Sequence, residues 1–197
     1  MNTTPQSPSR PLSEVAPSSP LYNMPPPWMV TARAFTGLRE TPGPATTPAI
    51  RNMLASLHAW WNDDGVPWCG TFLAYCVEDA GLQIPKAWYR AKEWATWGRQ
   101  VVTTGYPPPR AVPYGAVCVL KLPTGFHVTA YVAPVFGRPE MFWGFGGNQG
   151  DMVKASAFHW ADVQAVRWPV DYPLADYRGV DVTSMAQGQP KDQDGTR

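Results

Sequence analysis

The sequence predicts an α+β domain in which N-terminal helices pack on a small antiparallel β-sheet. Three observations lead there. Apolar residues recur at helical spacing in the segments up to Gly81, and short apolar runs bounded by turn residues follow from Gly115 onward. All ten tryptophans lie between Trp28 and Trp168, which marks one window of ordinary domain size able to build a core.

Within that window the first segment, Trp28 to Gly37, places Trp28, Ala32 and Phe35 on one helical face. After the loop ETPGPATTP, a second helix is expected from Pro48 to Trp61. Its stripe is Ile50, Met53, Leu54, Leu57 and Trp61, and Pro48 suits a first helical turn. NDDGVPW interrupts the pattern. A third helix then opens at Cys69, with Phe72, Leu73, Cys76, Val77 and Ala80 sharing the face of Cys69 and Gly81 closing it. Strands are expected over Gly115–Leu122, His127–Val135 and Met141–Gly146, divided by Pro123-Thr124-Gly125 and Gly137-Arg138-Pro139, with a closing strand over Val163–Trp168.

The flanks read differently. Residues 1–27 hold eight prolines and five serines, a composition that buries too little apolar surface to offset its ordering entropy. They are expected to form a disordered or extended arm, with the domain over 28–170 and a flexible polar tail over 171–197. Lys and Arg number 16 against 15 Asp and Glu, a net charge of +1, which argues against a nucleic-acid binder with its basic stripe. No apolar run reaches the length of a membrane span, and the N-terminus lacks the basic start and apolar stretch of a secretory signal. The expectation is a chain made in the cytoplasm that depends on release, injection or delivery to work outside it.

Three cysteines, Cys69, Cys76 and Cys118, are too few for a disulfide framework, and their spacing fits no zinc clamp. Neither a metal nor another cofactor is expected. Cys69 opens a helix, where free N–H groups and the helix dipole favour a thiolate; packing as a small hydrophobe is the alternative. Cys76 and Cys118 fall in apolar patterns and are expected to be inert. His127, at the mouth of a strand, can act as a base or be a core histidine bonded to backbone. Asn148, in FGGNQG, can accept a ring N–H and fix the tautomer of that base, or can hold a left-handed turn position after Gly146-Gly147. Asp63 and Asp64, just before Cys69, can contact a cationic substrate amine or solvate a loop, and the loop is the expectation. Trp68, Trp143 and Gln149 are candidates for a substrate groove, the tryptophans having core packing as their alternative.

The runs VPWCGTFLAYCVEDAGL, GAVCVLKLPTGFHVTAYV and FWGFGGNQGDMV resemble the CHAP-type and NlpC-type peptidoglycan hydrolases. Their PWC…HV…GGNQ order is most similar to the CHAP-like lysins of phages and prophages, over about residues 28–169. The resemblance implies a papain-like fold and hydrolysis of an amide bond in cell-wall peptides. It matches Cys69 to the nucleophile, His127 to the base and Asn148 to the residue that orients the base, a position that varies among relatives. The backbone N–H of Cys69 is the expected oxyanion donor. Gly70 stands where relatives often carry Ala or Ser, a departure expected to matter little. The implied partner is bacterial peptidoglycan. An amidase toxin with an immunity or delivery partner protein, and an inactive wall-binding or protein-binding module, are the competing readings.

Overall fold

A computed structural model describes residues 25–43, 45–101 and 112–174. Three α-helices, α1 (Pro27–Ala34), α2 (Pro48–Ser56) and α3 (Cys69–Asp79), come first among the described residues. Six strands follow: β1 (Arg99–Gln100), β2 (Val117–Leu122), β3 (Gly125–Val135), β4 (Arg138–Gly146), β5 (Lys154–His159) and β6 (Val163–Trp168). They form one antiparallel sheet in the order β1-β6-β2-β3-β4-β5, so the domain is α+β as expected.

Each helix boundary has a local cause. Proline starts both α1 and α2, where its missing N–H has no intrahelical partner to lose. Behind Pro48, the backbone N–H of Thr47 donates to the buried Asp64 carboxylate at 2.8 Å. Asp64 therefore anchors the start of α2, where a solvated loop residue was expected. Helix α2 stops at Ser56 instead of running to Trp61. His58 takes a left-handed φ of 53°, His58 N–H donates to Ala55 O, and Ala59 N–H donates to Leu54 O. That double closure is a Schellman motif, with histidine in the position glycine usually fills. It turns Trp60 and Trp61 out of the helical stripe. At the end of α3, Gly81 (φ 73°) does the same with Gly81 N–H on Glu78 O and Leu82 N–H on Val77 O.

Two-residue loops join β2 to β3 and β3 to β4, pairing Leu122 with Gly125 and Val135 with Arg138. The expected strands are all present. Sequence patterning missed β5, whose run KASAFH offers only Phe158 as a large apolar residue, and the two-residue β1. The core between helices and sheet is aromatic, with Trp28, Trp68, Trp94, Trp168, Phe72, Phe142 and Phe145 fully buried. Trp28 closes the domain: its Nε1 donates to Gly115 O at 2.8 Å, and its ring meets Trp168 and Tyr172 edge-on at 5.1 and 4.9 Å.

The domain edges differ slightly from expectation. Pro26 is buried and Pro27 is the first residue of α1, so the packed chain begins before Trp28. Tyr172 packs on Trp28, and its carbonyl accepts from Trp168 Nε1 and Arg99, so the chain stays attached beyond 170. The rest of the proposed arm and tail, residues 1–24 and 175–197, lies outside the described residues. No helix among the described residues is long and apolar enough to cross a membrane.

Candidate active site

Cys69 is the first residue of α3, and Trp68 at the N-cap offers no side-chain acceptor to the first-turn N–H groups. The helix start is held by close backbone approaches on two sides. A Cβ on Gly70 would lie 2.7 and 2.8 Å from the carbonyl oxygens of Trp88 and Tyr89. Alanine or serine at position 70 would therefore push the 88–89 segment away, which corrects the expectation that this departure matters little. On the other side, a Cβ on Gly147 would collide with Trp68 and Phe72 at 2.6 Å. The bare glycine lets the loop after β4 settle on α3.

Cys69 is only 3% exposed, and its thiol sits within reach of the Val128 backbone N–H, one residue beyond His127 on β3. Burial raises its pKa, and the N–H groups of Val128, Gly70 and Cys69 itself pull the other way without prevailing. His127 is 9% exposed, and desolvation lowers its pKa to about 4 against the opposing effect of its hydrogen bond to Gln149. Both shifts disfavour the charged form of their group. For the thiol this runs against the helix start, whose N–H groups and dipole favour the thiolate.

The side chain bonded to His127 is Gln149. Its Oε1 lies 3.3 Å from His127 Nε2 and accepts from Thr129 Oγ1 at 2.8 Å. Its Nε2 donates to Gly144 O at 3.1 Å and to Lys154 O at 2.7 Å. Two carbonyls can only accept, so they fix which end of the amide faces His127. An amide oxygen can only accept too, so the imidazole proton sits on Nε2. Nδ1 is left with a free lone pair.

Asn148 holds a left-handed turn position, with φ 55°, followed by Gly150 and Asp151 at φ 64° and 58°. Of the two alternatives for Asn148, this geometry is the turn, and the neighbouring residue reaches the ring. Room for Gln149 comes from three sequence features. Gly144 and Gly146 leave the β4 face bare, since a Cβ on either would press on Thr129 at 2.6–3.1 Å. Thr129 stands two residues after His127 on β3 and so shares its face. The strand alternation of β3 carries that signal for Thr129.

The remaining candidates separate. Trp68 is 1% exposed and donates Nε1 to Glu40 at 2.8 Å, which puts it in the core. Trp143 is part-buried on β4 opposite Ala133 and Ala157 and does not line the cavity at Cys69. That cavity holds about 480 Å³, within the usual range for small-molecule sites, and its wall is built by Trp60, Trp61, Tyr89 and Phe126. Asp63 and Arg90 are the charged residues in its lining. Cys76 and Cys118 are fully buried, with their thiol pKa values raised by desolvation. His58 ends α2 and His159 ends β5, each away from this cavity's lining. No family model, no curated protein and no solved structure matches this chain.

Proposed function

We propose that the chain is a papain-like cysteine peptidoglycan hydrolase of the CHAP or NlpC type, acting as a phage or prophage endolysin. One observation carries the reading: a cavity-lining cysteine at a helix start is bonded by the backbone of Val128, and the preceding residue along the chain, His127, has its Nε2 held by a buried amide. The amide facing His127 is itself held by three further hydrogen bonds, to Thr129, Gly144 and Lys154, which supports a positioned base over a histidine that only packs. The proposed chemistry is acyl transfer. Cys69 Sγ attacks the amide carbonyl while His127 Nδ1 takes the thiol proton, and the imidazolium returns it to the leaving amine. Water, deprotonated by His127, then releases the acid from the thioester. The first-turn N–H groups of α3, beginning with Cys69, are the donors for the oxyanion. Gln149 takes the orienting role that the resemblance assigned to Asn148.

The partner is bacterial peptidoglycan, met in the wall after release from the cytoplasm. Purified cell wall and mass spectrometry of the soluble fragments test the proposal. Wild-type protein should release muropeptides, with or without EDTA, and Cys69→Ala should pellet with the wall but release nothing. Equal release by both proteins would sink the thiol mechanism. Pelleting without release by the wild type would leave a wall-binding module.

A further inference from the structure

We propose that the aromatic wall at Cys69 binds a sugar ring, so that the amide offered to the thiol is the one joining the glycan's lactyl group to the first alanine of the stem peptide. The inference rests on the hydrolase reading and specifies its bond. Trp60 is 76% exposed, although a tryptophan has more apolar surface to hide than any other side chain. It is braced rather than covered, by edge-on contacts with Trp61 at 4.5 Å and Tyr89 at 5.0 Å. Trp61 stacks in turn on Trp88 at 5.5 Å, so an open ring is held by a rigid aromatic stack. Rigid exposed rings beside a nucleophile mark a ligand surface. The indole Nε1–H of Trp61 is also buried without a partner, a donor the protein leaves unsatisfied.

The composition of the wall selects between the two halves of the substrate. Stem peptides are built from alanine, glutamate and a diamino acid, which bring charges and short chains but no ring to fill an aromatic cavity. A pyranose brings a flat C–H face to the electron-rich face of an indole, and its acetamido group brings a methyl and a carbonyl acceptor. Among the described residues Asp63 and Arg90 are the charges in the lining, one of each sign on an otherwise apolar and aromatic surface. With the sugar against Trp60, the bond next to it is the lactyl amide. Attack by Cys69 on the lactyl carbonyl breaks its C–N bond, the thiol proton leaves on the alanine amine, and water converts the thioester to the lactyl carboxylate.

The test pairs a disaccharide-peptide with the same peptide lacking sugar, using the full chain and mass spectrometry. Expected products are a disaccharide with a free lactyl carboxylate and a peptide with a free alanine amine, the sugar-free peptide remaining intact. Trp60→Ala should raise KM roughly 10- to 100-fold with kcat little changed. Calorimetry with Cys69→Ala should register binding of the peptide-free disaccharide, lost on adding Trp60→Ala. Cleavage inside the peptide, or equal kcat/KM with and without sugar, would overturn the inference and keep the hydrolase. Disaccharide binding that depends on Trp60 without any cleavage would uphold the sugar wall and overturn the hydrolase and its bond. Neither binding nor cleavage would overturn both.

Discussion

Replacing Gln149 by alanine should cost both stability and turnover, and Asn148 provides the control beside it. The Gln149 side chain is 5% exposed and makes four hydrogen bonds, two through Oε1 and two through Nε2. Each is worth about 1 kcal/mol net, and water entering the vacated space recovers part of what the stranded partners lose, so the loss is about 3 kcal/mol. In a domain of this size that lowers Tm by roughly 6–12 °C. Turnover per folded molecule should fall roughly ten- to a thousandfold, because His127 loses the acceptor that keeps its proton on Nε2.

Gln149→Glu separates positioning from packing. The carboxylate keeps an acceptor for His127 and Thr129 but turns its other oxygen toward the carbonyls of Gly144 and Lys154. A buried anion beside the ring raises the histidine pKa, so the acid limb of kcat/KM should move to higher pH. Asn148→Ala should lower stability by about 1 kcal/mol through its left-handed φ of 55° and leave turnover unchanged, while Asn148→Gly should be close to neutral. Turnover measured on the folded fraction decides the matter. Full activity in Gln149→Ala, or a large kinetic loss confined to Asn148→Ala, would refute the assignment.

Three other outcomes are expected. The buried His127 has a pKa of about 4 against an ordinary 6.5, so between those values the unfolded chain holds more protons than the native one and stability climbs with pH. About 3 kcal/mol present above pH 6.5 should vanish as pH falls to about 4, and His127→Gln should flatten that slope in chemical-denaturation curves. Iodoacetamide should label Cys69, which lines the cavity, and spare the fully buried Cys76 and Cys118. The labelling rate should keep rising into alkaline solution because the thiol pKa is raised; a plateau reached near pH 5 would mean a resting thiolate. Gly70→Ala should destabilise the domain by at least about 1 kcal/mol, since its methyl would press on two backbone carbonyls, and an unchanged Tm would show that the 88–89 segment yields freely.

Much of this architecture was legible because local signals and packing agree. The periodic face of α3 and its terminal Gly81, the Pro-started helices, and the alternating runs of β2, β3, β4 and β6 all state their own geometry. What was not legible depends on contacts distant in sequence. Nothing in the stripe ending at Trp61 announces that His58 will adopt a left-handed φ, yet that one residue turns Trp60 and Trp61 into the cavity wall. The choice between Asn148 and Gln149 was likewise hidden. Both are amides at the exit of one strand, and only the clearance over Gly144 and Gly146, shared with Thr129, decides which one folds back to His127.

The protonation of the pair was hidden for a related reason. A cysteine at a helix start reads as a thiolate when only the helix is considered, because the dipole and the first-turn N–H groups favour negative charge. Here the same packing that brings β3 and the glycine loop onto α3 also removes water from the thiol and the imidazole, and the desolvation of each outweighs the groups that would stabilise its charge. On the proposed chemistry this arrangement has a use. Charge appears only as Sγ attacks, when the proton moves to Nδ1 and the negative charge moves to the substrate oxygen. Gln149 then accepts from the imidazolium at Nε2, and the helix-start N–H groups meet the oxyanion. On that chemistry the polar groups of the site meet charges that appear only during the reaction, which is where fixed dipoles lower a barrier most.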